Sequence, residues 1–506
     1  MTFVEEEDSA AVNLRTKSVE QSIADTDEPD TRLRRDLGTW DLIVFGVAVV
    51  VGAGIFTVAA STAGDRAGPS VSLAFVLAAV ACGLAALCYA EFASTVPVAG
   101  SAYTFSYATF GEFIAWIIGW DLVLEFAVGS AVVSKAWSEY LATLFGQLGV
   151  QVPTAVPLGP VTFDWGALLL VAALTTVLAL GTKLSSRVSM VFTAIKVGVV
   201  LLVIIVGFGY INAANYSPFI PPPASGGDSD SGLQQSLLSV LGGGSGSTYG
   251  IYGLLAAASI VFFAFIGFDV VATTAEETRN PQRSVPRGIL GSLAIVTVLY
   301  VAVALVLTGM VPYTELATQP DGTRATLATA FASLGVNWAA TVIAVGALAG
   351  LTTVVMVLML GQIRVLFAMS RDGLLPRPLA RTGGHGTPVR ATLVVAAAVA
   401  VGATFLPVTA LEEMVNIGTL FAFVLVSVGV LVLRRTRPDL ERGFRTPFVP
   451  LVPVLSVLAC VWLMLNLSVE TWLRFVVWMV LGVIVYFTYG RGHSLLGQRL
   501  AAGRER

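Results

Sequence analysis

Apolar runs of membrane length recur from about residue 40 to residue 489, and a chain built this way has no route to a water-soluble fold. We read them at about 40–62, 69–92, 110–145, 164–181, 186–210, 250–276, 286–311, 338–368, 389–406, 412–433, 449–467 and 471–489, numbered below as spans 1–12. An α-helix needs roughly 20 residues to cross the hydrocarbon of a bilayer. Composition agrees, since 56% of the 506 residues are hydrophobic and only 12% are charged, against about 45–50% and about 25% in soluble domains. The expectation is an all-α polytopic membrane protein embedded in a lipid bilayer. Its parts are a tail at 1–39, a first helical set at 40–210, a loop at 211–249, a second set at 250–433, a final pair of spans at 434–489 and a tail at 490–506.

The net charge of −3 leaves no basic stripe to neutralise a phosphate backbone, so no nucleic-acid partner is expected. Cys82, Cys88 and Cys460 lie in apolar runs without metal-ligand spacing, which predicts no metal and no cofactor. Twelve spans put both termini on one face. Of the 29 Lys and Arg residues, Arg66, Arg324 and Arg474 fall on the opposite face and Lys135 and Lys196 inside spans, so the rest lie on the face of the termini. The positive-inside rule then makes that face cytoplasmic, with the chain in the cell's inner (plasma) membrane. No cleavable leader is expected ahead of span 1. Residues 211–249, with Pro221-Pro222-Pro223 and Gly242-Gly243-Gly244-Ser245-Gly246, predict irregular structure. Residues 312–337, with Asp321-Gly322, predict a loop with a short helix.

Two spans are interrupted. Span 1 carries Gly52-Ala53-Gly54-Ile55-Phe56 near its middle, and glycine both weakens a helix and opens its backbone to close approach. Span 6 carries Phe262-Phe263-Ala264-Phe265-Ile266-Gly267-Phe268-Asp269, a row of aromatics with one glycine and an acid. The breaks lie five spans apart, so a five-helix repeat would enter the membrane in opposite orientations, and paired breaks of this kind point to the substrate site of inverted-repeat transporters. Unwound backbone leaves N–H groups at the start of a half-helix, and with its positive dipole end they can hold a carboxylate. In span 1 those donors would be Ala53, Gly54 and Ile55. Carbonyls around Phe263, Ala264 and Ile266 could receive an ammonium. A ligand with both groups on one carbon, an α-amino acid, fits the pair. The competing reading is that Gly52 and Gly54 only let helices pack closely.

Ionisable residues inside spans are costly and mark function by default. Four stand out: Asp121 and Glu125 on span 3, Lys196 on span 5 and Asp269 on span 6. Asp121 and Glu125 are four apart and share a helix face. Lys196 calls for a compensating carboxylate, which Asp269 could supply. Asp269 could instead cap the half-helix that restarts after the break, and Glu125 could be a silent group hydrogen-bonded to a neighbouring helix. Lys135, with Glu139 four residues on, reads as a snorkelling or surface-paired residue. His385 and His493 fall in segments expected to be cytoplasmic, so any proton coupling would use carboxylates or a lysine.

Taken together these segments resemble the amino acid–polyamine–organocation superfamily, and within it the cationic amino acid transporter family and its bacterial relatives, from about Leu37 to Phe487. The resemblance rests on the two interrupted motifs, on Tyr89-Ala90-Glu91-Phe92 with Pro97-Val98-Ala99-Gly100-Ser101-Ala102-Tyr103, and on Gly119-Trp120-Asp121-Leu122. It extends to Glu276-Glu277-Thr278-Arg279-Asn280-Pro281 and to the stretch from Arg364 to Pro376. It implies the leucine-transporter fold, a five-plus-five inverted repeat with two further helices, working by alternating access. It also implies that Lys196 stands where sodium-coupled members of the fold bind a cation between spans 1 and 8. Proton coupling is the implied mode, with Glu125 and Asp269 as acidic partners. Phe263 matches a gating aromatic, and Gly129 and Thr352 match positions lining the side-chain pocket.

The expected function is therefore proton-coupled, sodium-independent uptake of α-amino acids. The alternatives are an amino acid or polyamine exchanger and a sensor that binds without flux. A membrane-embedded enzyme is not expected, because the chain holds no His-Glu-x-x-His, no Gly-x-Ser-x-Gly and no histidine inside a span. The sequence carries no mark of a small accessory membrane subunit.

Overall fold

The computed structural model describes residues 37–95, 101–150, 152–158, 161–181, 186–225, 232–242, 247–319, 323–382 and 387–504. Pro97–Gly100, Lys183, Gly243–Gly246, Asp321-Gly322, His385 and the basic residues before span 1 lie outside the described residues, as do the side chains of Arg187, Glu276 and Glu277.

Among the described residues eight helices are long and apolar enough to cross a membrane: Gly54–Thr95, Glu112–Gln147, Met190–Phe208, Gly250–Ala272, Pro281–Met310, Asn337–Arg371, Val408–Thr436 and Val469–His493. Thr39–Val50, Trp165–Ala179, Val389–Phe405 and Leu451–Leu465 are shorter apolar helices. The fold is helical throughout its core. Short pairings occur at Ala155–Leu158 with Val161–Asp164 and at Ala224–Ser225 with Ser247–Thr248. The stretch 211–249 is not wholly irregular, for it also holds the helix Leu237–Gly242. Residues 312–337 carry the short helix Leu327–Ser333.

Small residues let these helices approach where little apolar driving force exists between them in lipid. On span 8, Gly346 and Gly350 form a small-xxx-small face against span 5. A Cβ at Gly346 would lie 2.2 Å from Val199 Cγ2, and one at Gly350 2.8 Å from Lys196 Cγ. Span 12 is held to span 3 by aromatics. Trp116 and Trp120 stack at 5.5 Å, Trp120 and Trp478 at 4.6 Å, and the Trp116 indole N–H donates to Gly482 O at 2.8 Å.

Spans 1 and 6 lie side by side in opposite directions. Leu37, just before span 1, pairs with Thr278 at the end of span 6, and the Arg279 N–H donates to Leu37 O at 3.0 Å.

Several buried charges near the helix ends are paired. Glu91 receives Arg434 through two hydrogen bonds of 2.9 and 2.7 Å, the Thr446 N–H at 2.7 Å, and Arg442 at 3.3 Å. The expectation for Lys135 is corrected here. It is buried, and its Nζ sits 3.7 Å from Asp164 instead of pairing at a surface with Glu139. Asp164 also accepts from Ser138 at 2.6 Å and caps the helix Trp165–Ala179 through the Ala167 N–H, which fixes the carboxylate where the lysine can reach it.

Candidate substrate site

Span 1 stops being a regular helix at Val50. Val51 leaves the helical region with ψ 94°, and the chain resumes as a π-turn over Gly54–Val58 and an α-turn over Ala59–Thr62. The first hydrogen bond beyond the break runs from the Phe56 N–H to Gly52 O at 3.4 Å. Among the described residues the N–H groups of Ala53, Gly54 and Ile55 therefore have no acceptor, as at any helix start.

Their helical acceptors have been taken or turned away. In an unbroken α-helix the Gly52 N–H would bond Ala48 O and the Gly54 N–H would bond Val50 O. Instead Lys196 Nζ donates to Ala48 O at 2.6 Å and the Tyr300 hydroxyl donates to Val50 O at 2.7 Å. Tyr140 donates to Phe56 O at 2.7 Å. Side chains from spans 5, 7 and 3 thus hold the carbonyls around the break.

Span 6 breaks differently. The helix Gly250–Val261 tightens into a 3-10 turn at Phe262–Phe265, Ile266 is extended, and Gly267 takes a left-handed φ of 112° before a 3-10 helix at Phe268–Glu277. Only glycine adopts that φ without strain, and a Cβ there would also lie 2.8 Å from Val49 Cγ1. The Phe263 carbonyl, one of those expected to be free, already accepts the Ile266 N–H at 3.2 Å. The breaks touch, for a Cβ at Gly54 would fall 2.2 Å from Ala264 Cα.

Beside this contact lies a cavity of about 400 Å³ including its mouth. Gly52, Ala53, Gly54, Gly129, Phe263 and Ile266 line it, with Glu125 in its wall. Ile55, Ala264 and Thr352 do not. Ile55 is fully buried, Ala264 seats Gly54, and the Thr352 hydroxyl bonds Leu348 O in its own helix at 2.7 Å. Span 8 instead contributes Val354 and Leu358, and span 3 adds Val133. These were missed because an apolar residue in an apolar span carries no local signal.

The four interior charges do not form the arrangement expected of them. Lys196 is almost wholly buried and, among the described residues, has no carboxylate at ion-pair distance and one hydrogen-bond partner, the Ala48 carbonyl. Asp269 is therefore not its counter-ion. The Asp269 carboxyl faces the N–H groups of its own residue and of Val270, in the manner of a helix cap, while its Oδ1 has no partner. Glu125 lies within electrostatic reach of Asp269 and Asp121. Both oxygens of Asp121 and one of Glu125 have no hydrogen-bond partner among the described residues, and Asp121 Oδ1 packs where a Cβ at Gly418 would come within 3.0 Å.

A helix start with unused donors, a second break against it and a cavity beside both meet at one place. Residues 37–487 match the family described as amino acid permease. The chain belongs to that family, within the amino acid–polyamine–organocation superfamily. It is a multi-pass membrane permease and not an enzyme. It is 42% identical to a branched-chain amino acid permease of Bacillus subtilis over 96% of this chain and 99% of that protein. It is 40% identical to a methylthioribose transporter of the same organism, over 92% and 95% of the two chains. A vacuolar cationic amino acid transporter of Arabidopsis thaliana is 30% identical over 96% of both.

Proposed function

We propose that this permease takes up α-amino acids with aliphatic side chains by proton-coupled, sodium-independent alternating access. The observation that carries the proposal is the pair of N–H groups at Ala53 and Gly54, which line the cavity and have no acceptor among the described residues. They suit a carboxylate, and Val133, Val354 and Leu358 suit an apolar side chain. The names of the Bacillus relatives support an uncharged substrate. Lys196, held on Ala48 O with span 8 glycine against its stem, fills the place of a bound cation between spans 1 and 8. Glu125, with Asp269 and Asp121 nearby, is the proton carrier. Twelve crossings, with residues 40–210 and 250–433 as inverted halves and both termini cytoplasmic, complete the arrangement in the plasma membrane.

Uptake of labelled leucine into liposomes containing the full chain tests this. An inward proton gradient should drive accumulation above equilibrium with no substrate inside. Accumulation only when unlabelled amino acid is loaded inside would replace symport by exchange. Binding without flux would replace transport by sensing.

A further inference from the structure

On the face of the bundle opposite the C-terminal helix, the loop between spans 7 and 8 sends one arginine into the protein. Arg324 is nearly buried, with 8% of its side chain exposed, and donates to Glu412 Oε1 at 2.7 Å and Oε2 at 3.3 Å. The same guanidinium donates to Ser61 Oγ at 2.9 Å. Glu412 begins span 10, and Ser61 lies two turns past the break, on the half-helix whose start presents the unused amides. Burial pulls the proton affinity of Arg324 down, and the charges of Glu412 and Glu139 more than offset this, so it stays charged. A buried ion pair of this kind, with both partners hydrogen-bonded, loses much when separated.

The loop carrying Arg324 is seated on the same half-helix at other points. A Cβ at Gly64 would lie 2.2 Å from Ala317 N, and Asp65 accepts from the Thr318 N–H at 2.8 Å and the Thr318 hydroxyl at 2.6 Å. The Tyr140 hydroxyl, on Phe56 O, also faces the start of the helix Leu327–Ser333. At the other end of span 1, Gly46 and Leu42 pack closely on spans 6 and 7, and the polar contacts among the described residues are the Leu37 backbone pairing and a hydroxyl pair, Thr39 with Ser284 at 3.1 Å. Among the described residues, the buried ion pair reaching span 1 is the one on the face of Arg324.

We infer that Arg324 is a positioning residue of the transport cycle, a latch joining the loop between spans 7 and 8, span 10 and the second half of span 1, whose release opens the cavity to the face opposite the termini. The inference rests on the alternating-access reading above. A ligand can reach a site only in the fraction of molecules that expose it, so its apparent affinity from one face scales with that fraction.

The test uses the full chain in right-side-out membrane vesicles, with a cysteine introduced on the cavity wall by Val133→Cys and a membrane-impermeant thiol reagent applied to the face opposite the termini. Arg324→Ala should raise the labelling rate about tenfold and Ser61→Ala about threefold, the order expected of a population shift. Exchanging the charges with Arg324→Glu and Glu412→Arg together should return labelling toward the rate of the unaltered pair. In uptake assays the half-saturation constant from that face should fall while the maximal rate also falls. A merely structural residue would lower the maximal rate alone. Unchanged labelling and unchanged half-saturation in folded Arg324→Ala protein overturn the latch. If that variant fails to reach the membrane, the same two readouts in Ser61→Ala and Glu412→Gln decide. Labelling needs no substrate, so absence of amino acid transport in the unaltered protein would fail the reading of function without obscuring the latch.

Discussion

Buried charge is handled in two ways in this protein, and the division follows depth. Near the ends of the helices four cations among the described residues meet anions: Arg434 and Arg442 meet Glu91, Arg324 meets Glu412, and Lys135 meets Asp164. At the level of the two breaks, Lys196 rests on a carbonyl, and Asp121, Glu125 and Asp269 retain oxygens without hydrogen-bond partners among the described residues. A paired charge is already neutralised and adds little to chemistry when its surroundings are fixed. An unpaired one is costly to bury, which marks groups whose partner arrives and leaves.

The Glu91 cluster, unlike the Arg324 latch, should then behave as a permanent fastening. Glu91→Ala leaves two arginines facing a buried gap and should cost about 3–5 kcal/mol of stability, read as a lower thermal midpoint and less folded protein. The protein that does fold should keep its half-saturation constant for leucine. A raised half-saturation constant with unaltered stability would break the division between ends and middle.

Lys196 should behave in the opposite manner. Lys196→Ala removes the group on Ala48 O and should reduce uptake about a hundredfold, equivalent to roughly 2.7 kcal/mol, with the thermal midpoint little changed. Lys196→Arg should not restore uptake, because the stem passes within contact of Gly350 and the broad planar guanidinium is a different shape from an ammonium. Normal uptake in Lys196→Ala would remove the middle group from the argument.

Glu125 separates coupling from binding. Glu125→Gln keeps the shape of the cavity wall but cannot take up or release a proton. Gradient-driven accumulation should fall about tenfold, the lower end of what a positioned proton-transfer group contributes, while leucine binding followed by thermal shift persists. A retained response to the gradient would move the coupling elsewhere.

Much of this was legible in the residues. The breaks announced themselves through Gly52-Ala53-Gly54 and through glycine amid aromatics in span 6, because local backbone demands leave local signatures. The interior charges were legible for the same reason. Their partners were not: Arg324 bonds residues 88 and 263 positions away, and the sequence pattern reads it only as a charge on one face. Tyr300 and Tyr140 look like ordinary aromatics of apolar spans, and only packing shows that their hydroxyls hold Val50 and Phe56 carbonyls. The missing side chain of Gly54 seats Ala264, as the packing reading expects, and its N–H has no acceptor among the described residues, as the binding reading requires.

Asp121 tests whether lack of a partner is itself enough to mark a working group. It is as buried as Glu125 and has neither oxygen bonded, yet it is absent from the cavity wall. In the proposed transport reading its influence reaches the substrate only through its interaction with Glu125. Asp121→Asn removes that charge at constant shape and should lower uptake only about threefold, the scale of one interaction between charged groups at moderate effective dielectric, with gradient dependence retained. A loss as large as that in Glu125→Gln would place Asp121 on the proton's route, and the rule separating middle from ends would then hold without reference to the cavity.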